Sequence, residues 1–184
     1  MQSAVEAVNN ALIFLGQPPI QSLTQSTPPA AVFAASLYNS TLDEVLRAHP
    51  WNFAIDRVEL PPLATAPAYG YQFAFQRPGD WLRTLETSAT DFRHEGKRIL
   101  ANVSSLQLRY VRRETDLTVW DSLACAALAR SLASKLAYPL TKSTSLQEAQ
   151  WNMFVAVLKQ ARGVDAQEEP AEEFEQSSLL SVRR

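Results

Sequence analysis

The sequence has one cysteine, two histidines and five glycines in 184 residues, and each scarcity removes a class of function. Cys125 alone cannot close an internal disulfide, so the framework of a small secreted scaffold is excluded and the compartment reads as reducing. His49 and His94 are separated by a whole strand-like region, with no cysteine or carboxylate at ligand spacing. That pattern argues against a zinc or histidine-base site. Gly16, Gly70, Gly79, Gly96 and Gly163 stand singly, so neighbouring residues build neither a phosphate-cradling loop nor a serine elbow. No cofactor is expected.

Charge of one sign is lacking as well. The formal net charge is −2, which leaves no overall positive field to hold nucleic acid by neutralising phosphates. Long uninterrupted apolar runs are missing too. Leu117 to Leu140 is broken by Asp121, Arg130 and Lys135, and reads as a core helix rather than a membrane span. Met1 to Leu15 lacks a basic start and carries Glu6, Asn9 and Asn10, unlike an export signal. What is present is an apolar fraction of 46%, enough to build a core in a chain of this length.

The hydrophobic period changes twice along the chain. From Ser3 to Leu15, apolar residues recur at three- and four-residue steps, and Gly16 followed by Pro18 and Pro19 predicts the stop. Pro28 and Pro29 suit the first turn of a second helix, which Pro50 ends near His49. Between Trp51 and Arg113 the spacing becomes two, with Pro61, Pro62, Pro67, Gly70, Pro78 and Gly79 as turns, predicting a small antiparallel β unit. His94 to Lys97 reads as a tight hairpin with Gly96 at positive φ. In the last strand Leu106, Leu108 and Tyr110 point one way, and Gln107, Arg109 and Val111 face water.

A third helix is predicted from Asp116 or Thr118 to Tyr138, stopped by Pro139. Its alanines, with Cys125 among them as a small apolar group, let other helices approach closely. A fourth begins at a capping box, Ser145 with Glu148, and ends near Gly163. It carries two apolar stripes, one of Leu146, Ala149, Met153 and Val157, the other of Trp151, Phe154, Val155 and Leu158. Either a partner subunit covers the second stripe, or the helix is buried all round. Beyond Val164 the chain is acidic and then ends in Ser177 to Arg184, a segment that either frays or orders against a partner.

These readings give an α+β class: mainly a bundle of about four helices with an inserted small antiparallel β domain and an extended C-terminal tail. Residues 1–50 and 116–164 form the bundle, 51–115 the β domain and 165–184 the C-terminal arm. Carboxylates suited to acid and base work are Asp80, Glu86, Asp91, Glu95, Glu114 and Asp116, all in turns or strand ends. Solvated turn acids are the commoner use of such residues. Arg109, Arg112 and Arg113 are read as a solvated strand end before any contact with DNA or an acidic partner.

Three segments then carry a resemblance. AVNNALIFLGQPPIQSL from Ala7, HPWNFAIDRVEL at His49 to Leu60 and YGYQFAFQRPGDWLRTLE at Tyr69 to Glu86 resemble the tail tubular protein A family, the head-to-tail adaptors of short-tailed phages. The ending SSLLSVRR is similar as well. The resemblance implies a structural virion protein, not an enzyme, forming a homo-dodecameric ring between the portal protein and the tail nozzle. DNA would pass through its lumen without specific binding, and no membrane is involved.

It also implies that the C-terminal segment meets the portal through Phe174, Leu179, Leu180, Val182, Arg183 and Arg184. Trp151, Phe154, Val155 and Leu158 are the expected subunit interface. Loops at Tyr69, Tyr71, His94, Glu95 and Lys97 are expected to face the next tail protein. A virion glycan or peptidoglycan hydrolase and a helical scaffolding module are the alternatives.

Overall fold

Ser3 sets the first helix. Its Oγ accepts from the Glu6 amide at 3.2 Å while the Ser3 amide donates to the Glu6 carboxylate at 2.7 Å, so two amides that the helix leaves open are satisfied reciprocally. This computed structural model describes residues 3–168. Helix α1 runs Ala4–Phe14, and Gly16 leaves it at φ +65°. Asn9 then holds the returning chain: its amide group donates to the Ile20 carbonyl and its Oδ1 accepts from the Ile20 amide. The GQPPI turn is thereby fastened to the helix it follows.

Helix α2, Pro29–Ala48, starts on proline and ends at His49, which is extended ahead of Pro50. Helix α3, Ser122–Thr141, is capped by Asp121, whose carboxylate accepts from the Leu123 and Ala124 amides. The stretch from Asp116 to Trp120, where a helix start was expected, is a pair of turns instead. Pro139 does not stop α3; it lies inside, and the left-handed Lys142 ends the helix. A proline one turn from a C-terminus forfeits a single backbone bond, which packing on both sides offsets.

Helix α4 spans Thr144–Glu168. Its first turn is held by Ser143, whose Oγ accepts from the Leu146 amide, so the cap lies two residues before the expected Ser145. Gly163 does not end it either, because that glycine stays out of the left-handed region.

The strands are β1 Ile55–Leu60, β2 Phe73–Gln76, β3 Trp81–Thr87, β4 Phe92–Glu95, β5 Arg98–Ala101 and β6 Leu106–Arg112. They make two antiparallel three-stranded sheets, ordered β1-β6-β3 and β2-β5-β4. The fold predicted from sequence is corrected here. There is not one small β domain inserted in a bundle but an α+β arrangement of four helices and two separate sheets, and residues 165–168 continue α4 rather than open an extended arm. Two-residue alternation locates strands but carries no information on pairing, and β6 pairs with β1 across some fifty residues of intervening chain.

Strand β6 shows how the layers stack. Leu106, Leu108 and Tyr110 enter a core with Phe75, Ile99 and Ala101 of the second sheet. Val111, on the opposite face, is wholly buried among α1 to α4 with Trp51, Leu46 and Leu128. The expected wet face of β6 is therefore wet only at Gln107, while Arg109 is half-buried. The first sheet lies between the helices and the second sheet. Helix α3 touches all three other helices, as its small residues permit.

Candidate interaction surfaces

The end of α4 is locked to the α2–β1 junction. Asp165 is buried; one carboxylate oxygen lies 2.9 Å from His49 Nε2 and the other accepts from the Asn52 amide at 3.1 Å. The Asn52 side chain returns a bond to the Asp165 carbonyl, and Arg162 donates to the Ala48 carbonyl at 2.6 Å. That carbonyl is one that α2 leaves open at its C-terminus. Beside this clasp Trp51 is fully buried, donates from Nε1 to the Val45 carbonyl and stacks on Phe53, which stacks in turn on Trp120. The HPWNF segment is thus a structural corner. Sequence reasoning missed Asp165, which sat in the acidic stretch assigned to an arm.

Along the rest of α4 the two predicted stripes break up. Phe154 is buried and Leu158 packs against the helix-side core, so half of the expected subunit interface is interior. Leu146 and Val157, from the other stripe, join them there. Trp151 and Val155 remain outside at 50% and 48% exposure, four residues apart and so on one side of the helix, with Met153 exposed on the opposite flank. Each predicted stripe is thus split, part of it facing the core and part facing solvent.

The expected tail-facing loops come together around a concavity of about 810 Å³ on the outer face of the second sheet. Tyr69, Tyr71, Glu95 and Lys97 line it with Arg93, Arg98 and Gln76, over a floor of Ala74 and Leu100. Pairing explains the assembly: Ala74 lies opposite Leu100, which lies opposite Arg93, and Gln76, Arg98 and Glu95 form the next row. Tyr71 donates to Asp91 at 3.0 Å, and Tyr69 stands 89% exposed. His94 does not line the concavity. Alternation turns it to the other side of β4, where its ring is tilted against Trp81 and meets Phe92 edge-on. Burial there, with the Arg77 guanidinium nearby, holds its imidazole below the usual histidine range. Arg93 and Arg98 were absent from the predicted site; a period of two from Glu95 carried the signal for Arg93, whereas Arg98 joins that face by pairing with Glu95 and Gln76.

A second concavity, about 490 Å³, lies on the first sheet beyond the helices, among Arg57, Glu59, Glu86, Gln107 and Arg109. Its charges are mixed; Glu86 and Arg109 lie 3.5 Å apart, and Glu59 accepts from the Ser105 hydroxyl. Of the other candidate acids, all but Glu95 are engaged as well. Asp80 accepts from Tyr110, Glu114 pairs with Arg112 and accepts from the Asp116 amide, and Asp116 accepts from the Thr118 amide. Arg113 bonds Asp43 and Asn39. The hydrogen bonds from Thr118 hold the Asp116 carboxyl below the usual carboxylate range, and the Cys125 thiol is buried and pushed up to about 11, chiefly by burial and then by Asp121.

Among the described residues there is no cluster of three or more potential metal ligands, and no helix is long and apolar enough to cross a membrane. Phe174, Leu179, Leu180, Val182, Arg183 and Arg184, the expected portal contacts, lie outside the described residues. No family model matches the chain, and no curated protein is similar to it in sequence.

Proposed function

We propose that the chain is a structural virion subunit, one copy in a closed ring that joins a phage portal to its tail nozzle. The single observation that carries this reading is the apolar pair Trp151 and Val155, left half-exposed on one flank of a long helix whose face at Phe154 and Ala161 is buried in the core. Large side chains clustered on a surface mark a contact with another polypeptide. A side-by-side contact of this kind is heterologous and closes into a ring when the rotation allows.

Three features support the same reading. The segments that resemble tail tubular protein A form corners here: Asn9 with Ile20, and Trp51 with Val45. The loop-lined face at Tyr69, Tyr71, Glu95 and Lys97 lies on the sheet away from the helices, where a following tail component has access to it. Net charge near zero suits a conduit that DNA traverses without being held. The partners are then the portal protein, through Phe174, Leu179, Leu180, Val182, Arg183 and Arg184, and the nozzle protein, with the virion as location and no enzymatic step.

The test mixes purified protein with portal assemblies and examines the product by negative-stain microscopy. Wild type should decorate portals as a ring; Trp151→Glu with Val155→Glu should stay folded and fail to close one. A double variant that still forms complete rings would sink the reading.

A further inference from the structure

On the outer face of the second sheet three bases stand against one acid, Arg93, Lys97 and Arg98 with Glu95. The chain as a whole leans the other way, at −2. All three bases are exposed, and none of their side chains has an ion-pair or hydrogen-bond partner among the described residues. Several bases elsewhere are engaged: Arg112 with Glu114, Arg113 with Asp43, Lys135 with Glu44, Arg130 with Gln150, Arg162 with the Ala48 carbonyl. Unpaired bases gathered round a concavity concentrate negative ligands.

These positions are set before any partner arrives. The hairpin turns at Gly96, φ +55°, and is clamped from β2: the Arg77 guanidinium donates to the Gly96 carbonyl at 2.6 Å and the Arg77 amide to the Lys97 carbonyl at 3.1 Å. Arg77 is itself held 3.9 Å over the Trp81 ring. The facing wall is tied as well, Tyr71 donating to Asp91 and the Gln72 amide to Asn102 at 2.9 Å. Little backbone ordering is left to oppose binding. Arg93 pairs with Leu100, two residues from Arg98, so the two are diagonal neighbours on adjacent strands, roughly 7–8 Å apart. Alternate residues of an extended peptide are ~7 Å apart. A single nucleic-acid strand fits less well, because its bases need open aromatic faces. Of the two tyrosines here only Tyr69 stands clear, and Glu95 and Asp91 interrupt the positive charge.

We infer that this face binds an extended acidic segment of another polypeptide. Carboxylates on alternate residues of that segment meet Arg93 and Arg98, and a further acid meets Lys97 at the hairpin tip. Glu95, opposite Arg98 across the strands, fixes the register by repelling a carboxylate placed against it. The pairs face solvent, so each is weak and all fade with ionic strength. The inference deepens the ring reading and rests on it only for naming the nozzle protein as the bearer of the segment.

Amide chemical shifts of the isotope-labelled full chain, followed while an octapeptide of alternating glutamate and threonine is added at low salt, test it. Shifts should gather on the β4–β5 hairpin and the 66–71 loop and vanish at high salt, and the glutamine counterpart of the peptide should produce none. Arg93→Glu with Arg98→Glu should weaken binding several-fold with circular dichroism unchanged, and the reversed face should take an octapeptide of alternating lysine and threonine instead. If that variant fails to fold, Arg98→Gln alone must give the several-fold loss. Shifts spread over all surface bases, equal binding of the glutamine peptide, or a thymidine octanucleotide that binds this face more tightly overturn the inference. A chain that builds rings on portals yet ignores the peptide overturns this inference alone; one that takes the peptide and builds no ring overturns only the ring reading.

Discussion

The two cores of this molecule are built differently although they share a strand. The helix-side core gathers residues from all four helices, the Trp51 corner and Val111 of β6. The sheet-to-sheet core is smaller and is filled by Leu60, Phe75, Ile99, Leu106, Leu108 and Tyr110. The larger one sits against an element, α4, that still shows apolar surface to solvent; the smaller one carries the charged, loop-lined groove on its far side. Surfaces available to partners lie on the outermost layers, where packing leaves side-chain choice free.

If the comparison is right, the largest loss follows from emptying the helix-side core at its corner. Trp51→Ala should cost about 3–5 kcal/mol, measured by urea unfolding, because it removes a fully buried ring and strands the Val45 carbonyl. Leu108→Ala, in the other core, should cost less and should unfold in the same single transition; two separate transitions would mean that β6 does not couple the cores.

A smaller effect is expected at the clasp. Asp165→Ala leaves the Asn52 amide and His49 without their partner, at about 1–3 kcal/mol. Hydrogen exchange at Asn52 should rise together with exchange in the last turn of α4. Fast exchange confined to α4 would show that the clasp holds the helix and not the corner.

The smallest and most gradual effect is alkaline. Burial first, with Asp80 adding to it at Tyr110 and Cys125 at Tyr38, pushes both phenols up to about 12 from an ordinary 10.0. The unfolded chain releases these protons first, so stability is intact below pH 10 and falls as pH rises from 10 towards 12. Tyr110 belongs to the sheet-to-sheet core and Tyr38 to the helix-side core. Unfolding midpoints of Tyr110→Phe and Tyr38→Phe across that window separate the two contributions; a midpoint flat with pH in wild type would contradict the burial argument.

Which features could be read beforehand follows from how local their causes are. The stops at Gly16 and Pro50 and the turn at Gly96 rest on the backbone preferences of one or two residues, and the chain obeys them. Pro139 and Gly163 carry equally strong local signals, yet α3 and α4 run through both. There, contacts along two long packed helices outweigh a single unfavourable residue. Tyr69, Tyr71, Glu95 and Lys97 could be nominated as exposed loop residues, but that they share one groove with Arg93 and Arg98 depends on β5 lying between β2 and β4.

By itself the sequence determined where the chain bends, which stretches alternate with period two or about 3.6, and the near-balance of charge, since all of these act over a few residues or as sums. Only the tertiary structure decided that the strands divide into two sheets, that Val111 turns inward, that Phe154 and Leu158 are covered while Trp151 and Val155 are not, and that Asp165 meets His49. Each of those outcomes joins residues far apart in the chain, and which of several possible partners wins is settled by packing the whole set at once.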